Sequence, residues 1–129
     1  MKEGKIFDGR TFFRPYSSDL AQAKHSIVIS SPRLYRIERN HLVDLLVEQT
    51  HRGLEVLILT ATQSEQTKYL QTKGLLVKVI PTLSLCATVI DKAMVWYGAI
   101  NTLGVASEED NAIKVTDHNL ADELIEVLL

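Results

Sequence analysis

Three segments of this chain are apolar almost without a break: residues 26–31 (SIVISS), 54–60 (LEVLILT) and 75–80 (LLVKVI). A strand with one wet face alternates polar and apolar side chains, so unbroken apolar strands have to be covered on both faces. Between them lie stretches with helical spacing. Residues 39–52 put Leu42, Leu45 and Leu46 on an inner face, and residues 64–73 begin at a capping serine, Ser64. Gly53 and Gly74 each follow a basic residue where a helix should end, and Pro32 and Pro81 stop the first and third strands because proline has no N–H to donate. A short helix capped by Ser17 or Ser18 runs to residue 24. Strand–helix–strand–helix–strand order implies a parallel sheet with helices on both faces.

The second half reads differently. Residues 87–90, 94–97 and 112–115 are short strands with brief connections, which favours antiparallel pairing. A closing helix over residues 118–129 carries Leu120, Ala121, Leu124, Ile125 and Leu128 as its apolar stripe. With 129 residues and no linker or repeat, the chain is read as one domain, residues 1–129, with residues 1–10 as a leading arm.

Composition narrows the function classes. A net charge of −2 argues against gripping nucleic acid by bulk charge, though not against a local basic face. The lone cysteine, Cys86, can form neither an internal disulfide nor a zinc cluster, and no metal or other cofactor is expected. The charged first ten residues lack the apolar core of a signal peptide, and no apolar run nears the roughly 20 residues needed to span a bilayer. A cytoplasmic location away from membranes is expected.

The segment 83–101, LSLCATVIDKAMVWYGAIN, resembles the signature region of the phospholipase D-like superfamily. There a histidine, any residue and a lysine are followed after four more residues by an aspartate, and then by a Gly-Ser-x-Asn turn. The match is anchored by Val89-Ile90-Asp91 and by residues 95–101, in the version found in domains appended to bacterial helicases. Upstream, a strand ending in Ser31-Pro32 and a Leu-rich helix ending at Arg52-Gly53 agree in order, as does Ser107-Glu108-Glu109 downstream. The resemblance implies a three-layer α/β sandwich, its sheet mostly parallel with antiparallel strands in the C-terminal half and helices on both faces.

Position by position, the motif is degenerate. Ser84 stands where the family has its nucleophilic histidine, Cys86 where it has the phosphate-binding lysine, and Ala99 where it has the turn serine; Asp91, Gly98 and Asn101 are retained. Family members cleave phosphodiesters through a phosphohistidine, with lysine and asparagine groups holding the charge on the non-bridging oxygens. None of His25, His41, His51 and His118 is followed two residues later by lysine, so no shifted copy of the motif exists. Ser84 and Cys86, sharing one face of a strand, are read as filling a vacated pocket, and no catalytic residue is assigned. Asp91 is either a relic of the site or a turn carboxylate, and Asn101 either a site residue or a side chain bonded to nearby backbone.

A different cluster carries the binding expectation. Arg33, Tyr35, Arg36 and Arg39, with His41 nearby, follow the carboxyl end of a central parallel strand, where open α/β sheets bind ligands. Guanidinium forks match phosphate oxygens and tyrosine offers a stacking face. The leading expectation is a pseudoenzyme: a non-catalytic accessory domain that binds DNA or RNA within a larger helicase-type protein. One alternative is a homodimerisation or protein-interaction module using the degenerate motif face. Another is a phosphodiesterase or nuclease with unorthodox or partner-supplied residues.

Overall fold

The computed structural model describes residues 4–103 and 109–129. Its elements are β1 (Gly4–Asp8), α1 (Phe13–Gln22), β2 (Ser26–Ser30), α2 (His41–His51), β3 (Glu55–Thr60), α3 (Glu65–Thr72), β4 (Leu76–Val79), β5 (Cys86–Ile90), β6 (Met94–Gly98), β7 (Asn111–Thr116) and α4 (His118–Leu128), with a 3-10 turn at Ile37–Arg39 before α2. The strands form one sheet in the order β1-β7-β6-β5-β2-β3-β4.

The expected α/β sandwich is present, with a different balance of pairings. β2–β3 and β3–β4 are parallel, whereas β2–β5, β5–β6, β6–β7 and β1–β7 are antiparallel. The sheet is mostly parallel only in strand direction, since β1, β2, β3, β4 and β6 run one way and β5 and β7 the other. Both crossovers in the first half carry a helix, as parallel neighbours require, and the two-residue turn at Asp91-Lys92 makes β5 and β6 an antiparallel hairpin.

Three helices cover one face. Tyr16 and Leu20 of α1, Leu42, Val43 and Leu46 of α2, and Leu70 of α3 pack with Ile27, Ile29, Ile58 and Trp96 of the sheet. α4 alone serves the other face, where Ala121, Leu124 and Leu128 meet Leu59, Ala87, Val89 and Val95. One helix cannot cover seven strands. Ile6 of β1 and Tyr97 of β6 are left 73% and 45% exposed.

Three local expectations are corrected. Residues 4–8 of the supposed arm are the edge strand β1, held in register against β7 by pairs from Gly4↔Val115 to Asp8↔Asn111. α1 begins at Phe13, four residues before Ser17, after a turn in which the Asp8 carboxylate accepts from the N–H groups of Arg10 and Thr11. Ser17 therefore lies inside the helix, its hydroxyl donating to the Phe13 carbonyl at 2.6 Å. The third apolar run, β4, is the opposite edge of the sheet and not a buried strand: Leu76 is 68% exposed.

Candidate functional site

The retained motif positions do not lie together. β5 separates Cys86 from Asp91 by five residues, which on an extended strand is roughly 17 Å, and the two sit at opposite ends of this central strand. At the Asp91 end the carboxylate accepts backbone N–H groups from Lys24 (3.0 Å), His25 (2.7 Å) and Ser26 (3.1 Å). Burial pushes this carboxyl up, but the N–H groups of His25, Lys24 and Ser26 outweigh it, so its pKa lies below 3.8. Asp91 and Lys92 both take positive φ, 54° and 53°, and turn β5 into β6, with the Ala93 N–H donating to the Ile90 carbonyl at 3.1 Å. Asp91 is a turn carboxylate.

At the other end, Ser84 precedes β5 and is exposed, so it is not on a strand with Cys86 as expected. Cys86 is half-buried. Burial, with the Asp110 carboxylate adding to it, pushes the thiol up, the opposite of what a nucleophilic thiolate requires.

Gly98 has a steric explanation. A Cβ there would overlap the Asn111 carbonyl oxygen and approach Ala112 Cα at 2.7 Å, so only glycine lets β6 lie this close to β7. Ala99 then bonds back through its N–H to the Asn111 carbonyl at 2.8 Å.

Asn101 does work on the arginine loop. The Ser31 hydroxyl lies within hydrogen-bonding reach of the Arg33 carbonyl, at 2.8 Å, and of the Asn101 side-chain oxygen; Asn101 Nδ2 donates to that same carbonyl at 2.8 Å. The Thr60 hydroxyl donates to the Pro32 carbonyl at 3.2 Å, and the Ile37 N–H donates to Gln66 Oε1 at 3.0 Å. Residues 31–37 are thus tied to β3, to the N-terminal turn of α3 and to the residues after β6.

That loop borders two cavities at the carboxyl ends of β2 and β3. The larger, about 880 Å³, is lined by Arg33, Tyr35 and Arg36, by Thr60, Thr62, Ser64 and Gln66 from β3 and the start of α3, and by Ala99, Asn101 and Asp110. Its neighbour, about 460 Å³, shares Tyr35 and Arg36 and adds Arg39, Asn40, His41, Phe13, Ser17 and Leu42. Of the four residues singled out, Arg33, Tyr35 and Arg36 meet at the larger cavity, whereas Arg39 lines only the second. Among the described residues no ion pair engages any of the three arginines. Arg36 takes a left-handed φ of 47° and holds its guanidinium 5.3 Å from the centre of the Tyr35 ring. Sequence reasoning missed Thr60, Thr62, Ser64, Gln66 and Asp110, although the polar run after the second apolar strand ends at the same sheet edge. Ser107 and Glu108, expected to match, lie outside the described residues, and the exposed Glu109 just precedes β7.

Chemically, the described residues of the larger cavity offer hydrogen-bonding hydroxyls and amides, two guanidinium groups and one carboxylate. No histidine or lysine among the described residues lines it, and Ser84 and Cys86 are not on its wall. Among the described residues no three metal-ligating side chains cluster, and no helix is long and apolar enough to cross a membrane.

No family model and no curated protein matches the chain in sequence. Solved structures match its fold. Nuc, a phospholipase D family member from Salmonella typhimurium, superposes with a TM-score of 0.78 at 17% identity, over 99% of this chain and 91% of its own. NucT from Helicobacter pylori gives 0.79 at 14% identity, over 99% and 94%. TrmBL2, an archaeal chromatin protein whose structure shows a novel mode of DNA binding, gives 0.69 at 14% identity, over 97% of this chain and 50% of its own. The chain therefore shares the fold of phospholipase D family members.

Proposed function

We propose that this chain is a phospholipase D-like domain without catalytic activity that binds nucleic acid through the arginine loop after β2, as an accessory part of a larger nucleic-acid-processing protein. The observation that carries this reading is the make-up of the larger cavity, which among the described residues has Arg33 and Arg36 to hold phosphate and no imidazole to attack phosphorus. A raised Cys86 thiol and a Ser84 hydroxyl to which no described side chain bonds offer no substitute nucleophile. DNA binding by the archaeal chromatin protein of the same fold agrees with the binding half of the reading. Fold likeness alone would not carry it.

Two measurements test it on the intact chain. Purified protein should leave a generic phosphodiester, bis-p-nitrophenyl phosphate, untouched over hours. It should also retain DNA or RNA on a filter at low salt and release it as salt rises. Joint replacement of Arg33, Arg36 and Arg39 by Ala should abolish retention. Turnover that follows the protein through purification overturns the non-catalytic half; retention indifferent to the three arginines overturns the binding half.

A further inference from the structure

We infer that the polynucleotide bound here is a single strand, with one base stacked on Tyr35. This deepens the nucleic-acid reading of the site and rests on it. Tyr35 is 49% exposed although aromatic, and it stands on the boundary of two cavities as a wall of both. Cations continue on either side of it: Arg33 in the larger cavity, Arg36 in both, and Arg39 in the smaller. A phosphate–base–phosphate run presents anions flanking a flat apolar ring, which is the alternation this loop mirrors. A duplex keeps its base faces stacked on one another inside, showing only base edges in its grooves, and would leave the Tyr35 ring without a stacking partner. The larger cavity, about 880 Å³, is of the size that takes a whole small ligand, and so has room for an unstacked nucleotide.

The ring is also held in place. Arg36 adopts its left-handed φ of 47° with its guanidinium 5.3 Å from the Tyr35 centroid, and the next residue, Ile37, is buried and anchored to Gln66. A non-glycine residue in this region is uncommon and costly, and such strain concentrates at ligand-binding positions.

The experiment compares four fluorescent ligands of equal length on the intact protein: an oligothymidylate, an oligouridylate, a DNA duplex, and an abasic strand with the same phosphates and no bases. Both base-bearing single strands should bind more tightly than the duplex and the abasic strand. Tyr35→Ala should weaken the oligothymidylate roughly 5- to 150-fold, the span of one base–aromatic stack, and leave the abasic strand unchanged. Tyr35→Phe should bind as wild type. An abasic strand bound as tightly as oligothymidylate, or a duplex bound more tightly than either, overturns the single-strand inference while leaving nucleic-acid binding standing. Failure of all four ligands to bind removes the functional reading itself. A ribose preference shows only in the first pair of ligands and leaves the stacking inference intact.

Discussion

At the scale of single residues, the retained aspartate shows how a motif position can persist for the fold alone. Asp91 closes the start of β2 by accepting three consecutive backbone N–H groups that would otherwise face the turn without a partner. Its folded pKa is depressed, so its contribution is fully present above the unfolded value near 4 and is lost as pH falls through the lower folded value. Asp91→Asn tolerates the left-handed backbone but can offer only one oxygen. It should therefore cost about 1–2 kcal/mol at pH 7, the difference between hydrogen bonds to a charged and to a neutral acceptor, and the gap should narrow as pH falls below the unfolded value. Asp8 is depressed as well, by the N–H groups of Arg10 and Thr11, so the acid limb of the wild type alone cannot report on Asp91. Urea midpoints of both proteins at pH 7 and pH 3 make the measurement. A gap of equal size at the two values would mean that the carboxylate charge contributes nothing.

Among elements, α1 is fixed to the sheet by one acid serving two partners. Asp19 accepts the Trp96 indole N–H at 3.1 Å and pairs with Lys114 at 2.7 Å, joining α1 to β6 and β7, while Lys114 Nζ also lies 5.5 Å from the Trp96 ring centre. Trp96 is fully buried, so Asp19→Ala leaves an indole donor without a partner and should cost about 1–3 kcal/mol. Asp19→Asn keeps an acceptor and should recover part of that loss. Trp96 is the sole tryptophan, and its emission during urea unfolding reports both variants directly. Unchanged stability in Asp19→Ala would show that the clamp is incidental. None of this was readable from the chain, because residues 19, 96 and 114 meet only after the sheet forms. The central strands and α2, α3 and α4 were legible, since continuous apolar runs and helical spacing are local signals. β1 was not: five residues of mixed polarity at an edge carry neither pattern. The site divides along the same line. Arg33, Tyr35 and Arg36 follow the end of a legible strand in one short stretch, whereas Thr60, Gln66, Asn101 and Asp110 reach the cavity from four other places in the chain. Counting along β5 would have placed Asp91 correctly, because five extended residues cannot bring it back beside Cys86.

For the whole molecule, a net charge of −2 means that no long-range attraction draws a polyanion to this surface. Binding has to come from short-range contacts on one face, and the salt dependence counts them. Three arginines meeting three phosphates of a single strand give a slope of log affinity against log salt of about −2, so affinity falls roughly twentyfold between 50 and 200 mM salt. Each Arg→Ala replacement at positions 33, 36 and 39 should make that slope shallower by about 0.7. The protein carries its own control. Lys24 and Lys92 are exposed cations beside a third cavity, on the Asp91 edge of the sheet, away from the arginine loop. Replacing both with Ala changes the net charge as much as two arginine replacements do, and should leave the slope where it was. Fluorescence anisotropy with oligothymidylate over a salt series measures all of these. If the two lysine replacements flatten the slope as much as the arginines, the contact is diffuse charge attraction, and the cavity after β2 and β3 is not where nucleic acid binds.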